Sequence, residues 1–225
     1  AADYLKAFEQ KMVMEREAIA SSAIWTAKKR YAMAVHDMER VRYPDKPKLK
    51  IQGLEAIRSS TPGFCREPLL RSIELILLET ETDVQKYVAE FQELFNNAPI
   101  EDIAFPRTMN NIKKYTENGT FKKGCPPHVR GAISFNRLID HYQLSKDWEL
   151  CKDGEKGKFL WLTIPNSIGD DVISFNTSVP KEFGIEPYIN KRKQFEKAVI
   201  EPLTGILEPI GWSAEKRASL IDFFG

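Results

Sequence analysis

The sequence predicts an α+β chain in which a small antiparallel sheet is followed by a mainly helical region carrying a short β insertion. Three observations predict it. From Trp25 to Val35 the residues alternate like a strand, so that Trp25, Ala27, Lys29, Tyr31, Met33 and Val35 share one face. From Leu69 to Phe95 the apolar residues recur at i, i+3, i+4 and i+7, the spacing of helices with one buried stripe. Phe159 to Ile164 and Val172 to Phe175 are short runs of strand-forming residues, read as a hairpin-like insertion.

Residues 1–12 read as a helix with Tyr4, Leu5, Phe8 and Met12 on one stripe. That helix begins without a cap, as expected for a segment of something longer. Strands are expected from Met12 to Ala20, from Ile24 to His36, and from Lys48 to Leu54 after a turn at Tyr43-Pro44-Asp45-Lys46-Pro47. Ser59-Ser60-Thr61-Pro62 closes this piece, with hydroxyls placed to cap a helix. One helix then carries Leu69, Leu70, Ile73 and Leu77. A second, capped by Thr82 or Asp83, carries Val84, Tyr87, Val88, Phe91, Leu94 and Phe95. Pro99 to Pro127 is punctuated by proline and glycine and holds one short helix at Asn110 to Tyr115. Val129 to Tyr142 is the third helix, with Val129, Ile133 and Ile139 inward. The last long helix, Tyr188 to Leu207, is expected to bend near Glu201-Pro202. Gly211-Trp212-Ser213 resets the chain before a final short helix that Ser213 caps. There is no internal repeat.

At 225 residues, with 42% hydrophobic and 29% charged residues, the chain has the composition of a globular protein and ample length for a core. Its longest aliphatic run, Leu75-Ile76-Leu77-Leu78, is far short of the roughly 20 apolar residues of a membrane span. The first ten residues carry acids and lack the pattern of a signal peptide. Cys65, Cys125 and Cys151 are odd in number and widely spaced, which argues against a disulfide framework. Cys125 and His128 make a C-x-x-H pair without the second pair a structural zinc site needs. Only His36, His128 and His141 are histidines, and hydrolase motifs such as G-x-S-x-G and H-E-x-x-H are absent.

Charge is segregated behind a formal net of +1. Residues 26–50 hold eight Lys or Arg against three acids, and residues 105–130 hold six against one. Each window nets +5, which leaves −9 for the remainder, nine of whose acids lie between 67 and 102. Two basic windows on an acidic body are the footprint of a nucleic-acid face. The first holds Lys28-Lys29-Arg30-Tyr31, where a long cation beside a hydroxyl-bearing ring suits phosphate and groove edges together. A solvated edge strand blunted by lysines is the alternative reading of the same stretch.

With these blocks laid out in order, the chain resembles the C-terminal part of a family B DNA polymerase of the T-even-like bacteriophages. The resemblance covers essentially the whole chain. It rests on Met14-Glu15-Arg16-Glu17-Ala18-Ile19-Ala20, Trp25-Thr26-Ala27-Lys28-Lys29-Arg30-Tyr31-Ala32, Pro47-Lys48-Leu49-Lys50-Ile51 with Gly53-Leu54-Glu55, and Ser59-Ser60-Thr61-Pro62. Further on it rests on Asn110-Asn111-Ile112 with Lys114-Tyr115, on Cys125-Pro126 with His128-Val129-Arg130-Gly131, and on the tail from Lys216 to Phe224. It implies that residues 1–58 are the end of the palm, 59–212 the duplex-gripping thumb, and 213–225 a clamp-binding tail.

By that resemblance Lys29-Arg30-Tyr31 matches the family's K-x-Y motif at the minor groove of the primer end, with Lys28 beside it. Asn110, Asn111, Lys114 and Arg130 are the matching thumb contacts to primer-template duplex. In the tail, Leu220, Phe223 and Phe224 stand at i, i+3 and i+4, with Ile221 between them, as a plug that this family seats in a sliding clamp. A packed terminus is the alternative, and Arg217 stands where a glutamine is usual in such peptides. The family's catalytic aspartates, set in an Asp-Thr-Asp triplet and before Ser-Leu-Tyr-Pro, do not occur here, so no cofactor is expected in this chain and the Mg ions belong to the catalytic palm. Asp37-Met38-Glu39 and Asp170-Asp171 read as exposed surface instead. The chain alone is expected to polymerise nothing and to work with an upstream polypeptide carrying exonuclease, fingers and catalytic palm, in the cytoplasm of a bacterial host. Such a chain is the second polypeptide of a split polymerase or a truncated piece. A stand-alone clamp adaptor that binds nucleic acid is the alternative.

Overall fold

The computed structural model describes residues 16–118 and 120–216, together with a helical Ala7. Apart from Ala7, the expected helix over 1–12 lies outside the described residues, as do the start of the expected strand at Met12 and tail residues Leu220, Ile221, Phe223 and Phe224.

The basic stretch at Lys28 is a turn. Strands β1 (Ala18–Ala27) and β2 (Arg30–Met38) form an antiparallel hairpin closed by Lys28 and Lys29. The expected single strand from Ile24 to His36 is thereby corrected, and Lys29 stands at φ 61°, outside any strand period. The physical reason is pairing. Folded back, β2 bonds to β1 on one side and to β4 (Lys48–Gln52) on the other, with the two-residue β3 (Val41–Arg42) at its far end. The register shifts by one residue between Trp25 and Ala27, and this irregularity is what brings Trp25 opposite Tyr31 across the ladder. Ile24, Ala32, Ala34, Leu49 and Ile51 form the opposite face, against the helices.

Helix α1 (Gly63–Leu78) packs on that face, and α2 (Glu81–Asn97) packs on α1. No hydroxyl caps α1. Its N-cap is Pro62, and Thr61 donates instead to the Glu55 carbonyl at 2.6 Å. For α2 the cap lies two residues before the expected Thr82: Thr80 and Asp83 form a reciprocal capping box that satisfies two otherwise free amides. Phe91, Phe95 and Phe195 make an aromatic cluster, with Phe95 edge-to-face to both others, that joins α2 to the last helical segment.

That segment runs as α-helix from Lys191 to Phe195, as a π-helical turn from Glu196 to Ile200, and as α-helix again from Glu201 to Leu207. A wider turn thus stands just before Pro202, where the bend is expected. Proline has no amide to donate, and a π-bulge is one way a helix accommodates the loss.

The β insertion is larger than the sequence suggests. Strand β5 (Phe105–Thr108) pairs with β8 (Lys156–Trp161), which pairs with β9 (Val172–Phe175), while β6 (Thr116–Glu117) and β7 (Thr120–Phe121) make a small separate hairpin. Two very short helices, α3 (Ile100–Ile103) and α4 (Ile112–Tyr115), flank β5, and α5 (Pro127–His141) lies across β9. One apolar core runs from Ala32 and Ala34 through α1 and α2 to Leu160 and Phe175, across the boundary expected after residue 58. Among the described residues no helix is long and apolar enough to cross a membrane.

Candidate nucleic-acid interface

The hairpin tip presents two lysines to solvent. Lys28 and Lys29 are exposed, and neither meets a carboxylate within 4 Å among the described residues. Arg30 is turned inward: its Nη2 donates to both Glu55 carboxylate oxygens at 2.8 Å. Tyr31 is half-buried and stands 6.4 Å, centroid to centroid, from Trp25, which is 65% exposed. The shared face expected of Lys29 and Tyr31 is therefore corrected. Tyr31 shares its face with Trp25, Met33 and Lys50, lining an open trough of about 560 Å³, while Lys29 leads it from the turn.

A single strip of backbone connects this tip to the second basic window. Gly53, at φ 68°, lies so close behind the turn that a Cβ there would stand 2.3 Å from the Lys29 carbonyl oxygen. Glu55 follows, holding Arg30 and also Arg58, whose Nη1 is 3.1 Å from Oε1. Arg58 donates on to the Gly53 carbonyl at 3.0 Å, Arg66 to those of Ser59 and Thr61 at 3.1 and 3.3 Å, and Arg107 to that of Ser60 at 3.3 Å. Ser59-Ser60-Thr61 is thus ringed by guanidinium groups, and Arg107 on β5 ties the helical region to the sheet.

Burial holds the pKa of Arg107 below its ordinary value without removing the charge. His128, behind it, has its pKa lowered by burial and by the Arg107 cation. Cys125, the other half of the C-x-x-H pair, points weakly at the Pro126 carbonyl, and no group of three metal-binding side chains occurs among the described residues.

The remaining expected contacts divide into two kinds. Asn110, Asn111 and Lys114 are exposed at the start of and along α4, with Asn111 at φ 65° and Lys114 5.5 Å over the Tyr115 ring. Arg130 is engaged within the protein. It pairs with Asp170 at 3.0 Å and with Asp171, and lies 5.3 Å over the Phe121 ring. The expectation that Asp170-Asp171 is exposed surface is corrected, since Asp170 is 4% exposed and also accepts from Ser134 at 2.8 Å. Burial raises the pKa of its carboxyl despite both partners. Asp37 of the other pair sits between Arg16 and Arg42 at 3.7 and 3.9 Å.

Sequence reasoning missed Glu55, Arg58 and Arg66 as members of this surface, and missed Trp25 as its exposed ring. Gly53-Leu54-Glu55 was visible as a block. Nothing in a 25-residue separation says that Glu55 closes on Arg30.

At its tail end the chain docks before the described residues stop. The Ser213 amide donates to Glu81 at 2.8 Å, Gln85 donates to the Ser213 carbonyl at 3.2 Å, and Ala214 is buried.

A scan against family models finds no match. The fold is nevertheless that of a region of a family B DNA polymerase: the enzyme from the hyperthermophilic archaeon Pyrobaculum calidifontis superposes with a TM-score of 0.56 over 92% of this chain and 24% of its own, at 19% identity. Sequence narrows the class. Over 99% of its length the chain is 36% identical to the DNA-directed DNA polymerases of Enterobacteria phage T4 and Escherichia phage RB69, of which it spans 26%. The resemblance to phage family B DNA polymerases is thus shown across the whole chain, which corresponds to about a quarter of those relatives.

Proposed function

We propose that the chain is the C-terminal, palm-end and thumb portion of a phage-type replicative DNA polymerase, and that it grips primer-template duplex. The observation that supports this reading is the 53–60 segment, which lies against the Lys28-Lys29 turn at Gly53 and accepts at Ser60 from Arg107 of the second basic window. Cations that are exposed or bonded only to backbone carbonyls remain able to meet phosphates. Phosphate contacts fix register without reading sequence, so the grip is sequence-independent and weakens steeply with salt. Lys28, Lys29, Asn110, Asn111 and Lys114 are its contacts, and Tyr31 with Trp25 forms an apolar floor beside the tip. Arg30 and Arg130 act from behind, through Glu55 and through Asp170 and Asp171. The terminal Leu220, Ile221, Phe223 and Phe224 seat in a sliding clamp.

Two-metal nucleotidyl transfer needs clustered carboxylates, and the expected Asp-Thr-Asp triplet is not in this sequence. The chain therefore works with the polymerase part that carries exonuclease, fingers, catalytic palm and Mg ions, in the cytoplasm of a bacterial host. Primer extension tests this. The purified chain with Mg2+ and nucleotides extends nothing, and extension returns on mixing with a polypeptide carrying the missing palm. Extension by the chain alone, or none from the mixture, contradicts the reading.

A further inference from the structure

We propose that Glu55 is a positioning residue for the duplex-facing turn, holding Arg30 so that Lys28 and Lys29 are presented to phosphate. This inference rests on the duplex-gripping reading above and extends it to a residue that carries the wrong charge for DNA.

A carboxylate on a polyanion-binding surface repels its ligand unless it is neutralised and structurally employed. Glu55 is both. Its side chain is only 24% exposed, and both oxygens are taken by Arg30 Nη2 while Arg58 adds a third cationic contact. Its backbone is equally committed: its carbonyl accepts from the Thr61 hydroxyl and from the Arg58 amide at 3.1 Å. Arg30 is the residue that follows the turn and pairs with Ala27 across it, so fixing its side chain fixes the second half of the turn. The turn also has a brace independent of Glu55. Gly53 lets the Lys29 carbonyl approach the backbone of the 53–55 strip, and the Thr26 hydroxyl reaches the Arg30 carbonyl at 3.4 Å.

A left-handed conformation at a non-glycine residue costs energy, and Lys29 holds one. Left to itself a turn of consecutive cations would splay. Glu55 answers this by drawing the third cation down and away, leaving two pointing outward.

The test is a sign. A merely electrostatic role for Glu55 makes Glu55→Gln tighten duplex binding, because one negative charge leaves the surface. Positioning makes it weaken binding. With a fluorescent primer-template duplex and the whole chain, we expect Glu55→Gln to raise Kd about fivefold, the size of an ordinary coupling between contacting residues. We also expect the salt slope to fall by about 0.9, the share of one phosphate contact. Adding Lys29→Ala to Glu55→Gln should change little further. Amide exchange of residues 28–30, measured without DNA, should rise about tenfold, as it does when a local brace is removed. Arg30→Lys, which keeps the charge and removes the guanidinium that Glu55 holds, should reproduce both effects if Glu55→Gln fails to fold. Unchanged exchange in the turn, tighter binding, or full additivity with Lys29→Ala overturns the proposal. A wild-type chain that ignores duplex while its turn still loosens in Glu55→Gln overturns the duplex reading and not the brace.

Discussion

His128 gives the clearest residue-scale consequence of the site's electrostatics. Burial first and Arg107 second depress its pKa, so the folded state prefers the neutral ring while the unfolded chain titrates near 6.5. Below that pH the unfolded state takes up the proton more readily. Stability attributable to this group is therefore present above about pH 6.5 and declines as pH falls toward the depressed folded value. Thermal melts between pH 7 and pH 5 should show a decline that His128→Gln flattens; an identical pH profile in the variant contradicts the assignment. The sequence offered His128 as a helix start beside Arg130 and gave no sign of Arg107, because the two meet through the β5–β8 pairing of the insertion sheet, which period-two patterning in such short strands does not reveal. Lys29 failed for a related reason. A regular two-residue turn exchanges the faces of its two strands, but the one-residue register shift between Trp25 and Ala27 restores the odd-numbered face, so the face containing Trp25, Tyr31 and Met33 was legible and the turn between them was not.

Among the elements, α5 and β9 make the closest approach. A Cβ on Gly131 would stand 2.6 Å from Ser174 Oγ and 2.7 Å from its amide nitrogen, so only glycine lets the helix lie on the strand. Gly131→Ala should cost about 1–3 kcal/mol by overpacking, read in a denaturant titration, and a variant as stable as the parent refutes the packing account. Arg130, one residue earlier, clamps α5 to the loop before β9 through Asp170 and Asp171. Removing one partner of a buried ion pair costs roughly 3–5 kcal/mol, so Arg130→Ala should lower stability before it alters any surface contact. Long periodic elements were the readable ones. Helices α1, α2 and α5 lie within a few residues of where the stripes of Leu69, Val84 and Val129 put them. Pairings of four residues or fewer, such as β5 with β8, depend on partners some fifty residues away and leave no local signature.

For the whole molecule, segregated charge was the most informative property of the sequence. It counted two windows of +5 in a chain of net +1, and in the fold Arg107 of the second window reaches the Ser60 carbonyl, on the segment whose Gly53 lies behind the Lys29 turn. Composition does not say which cations stay free. Arg30 and Arg130 are spent on Glu55, Asp170 and Asp171, while Lys28, Lys29 and Lys114 keep theirs exposed. The measurement that bears most directly on the duplex grip is fluorescence anisotropy of the chain with labelled primer-template duplexes of unrelated sequence across a salt series. Lys28→Ala/Lys29→Ala and Lys114→Ala/Arg107→Ala variants would be run beside the parent. The account predicts the same Kd for every sequence, a steep fall of affinity with salt, and a shallower slope in both variants by about 0.9 for each phosphate no longer neutralised. Binding that prefers one sequence, or a slope that neither variant changes, would contradict it.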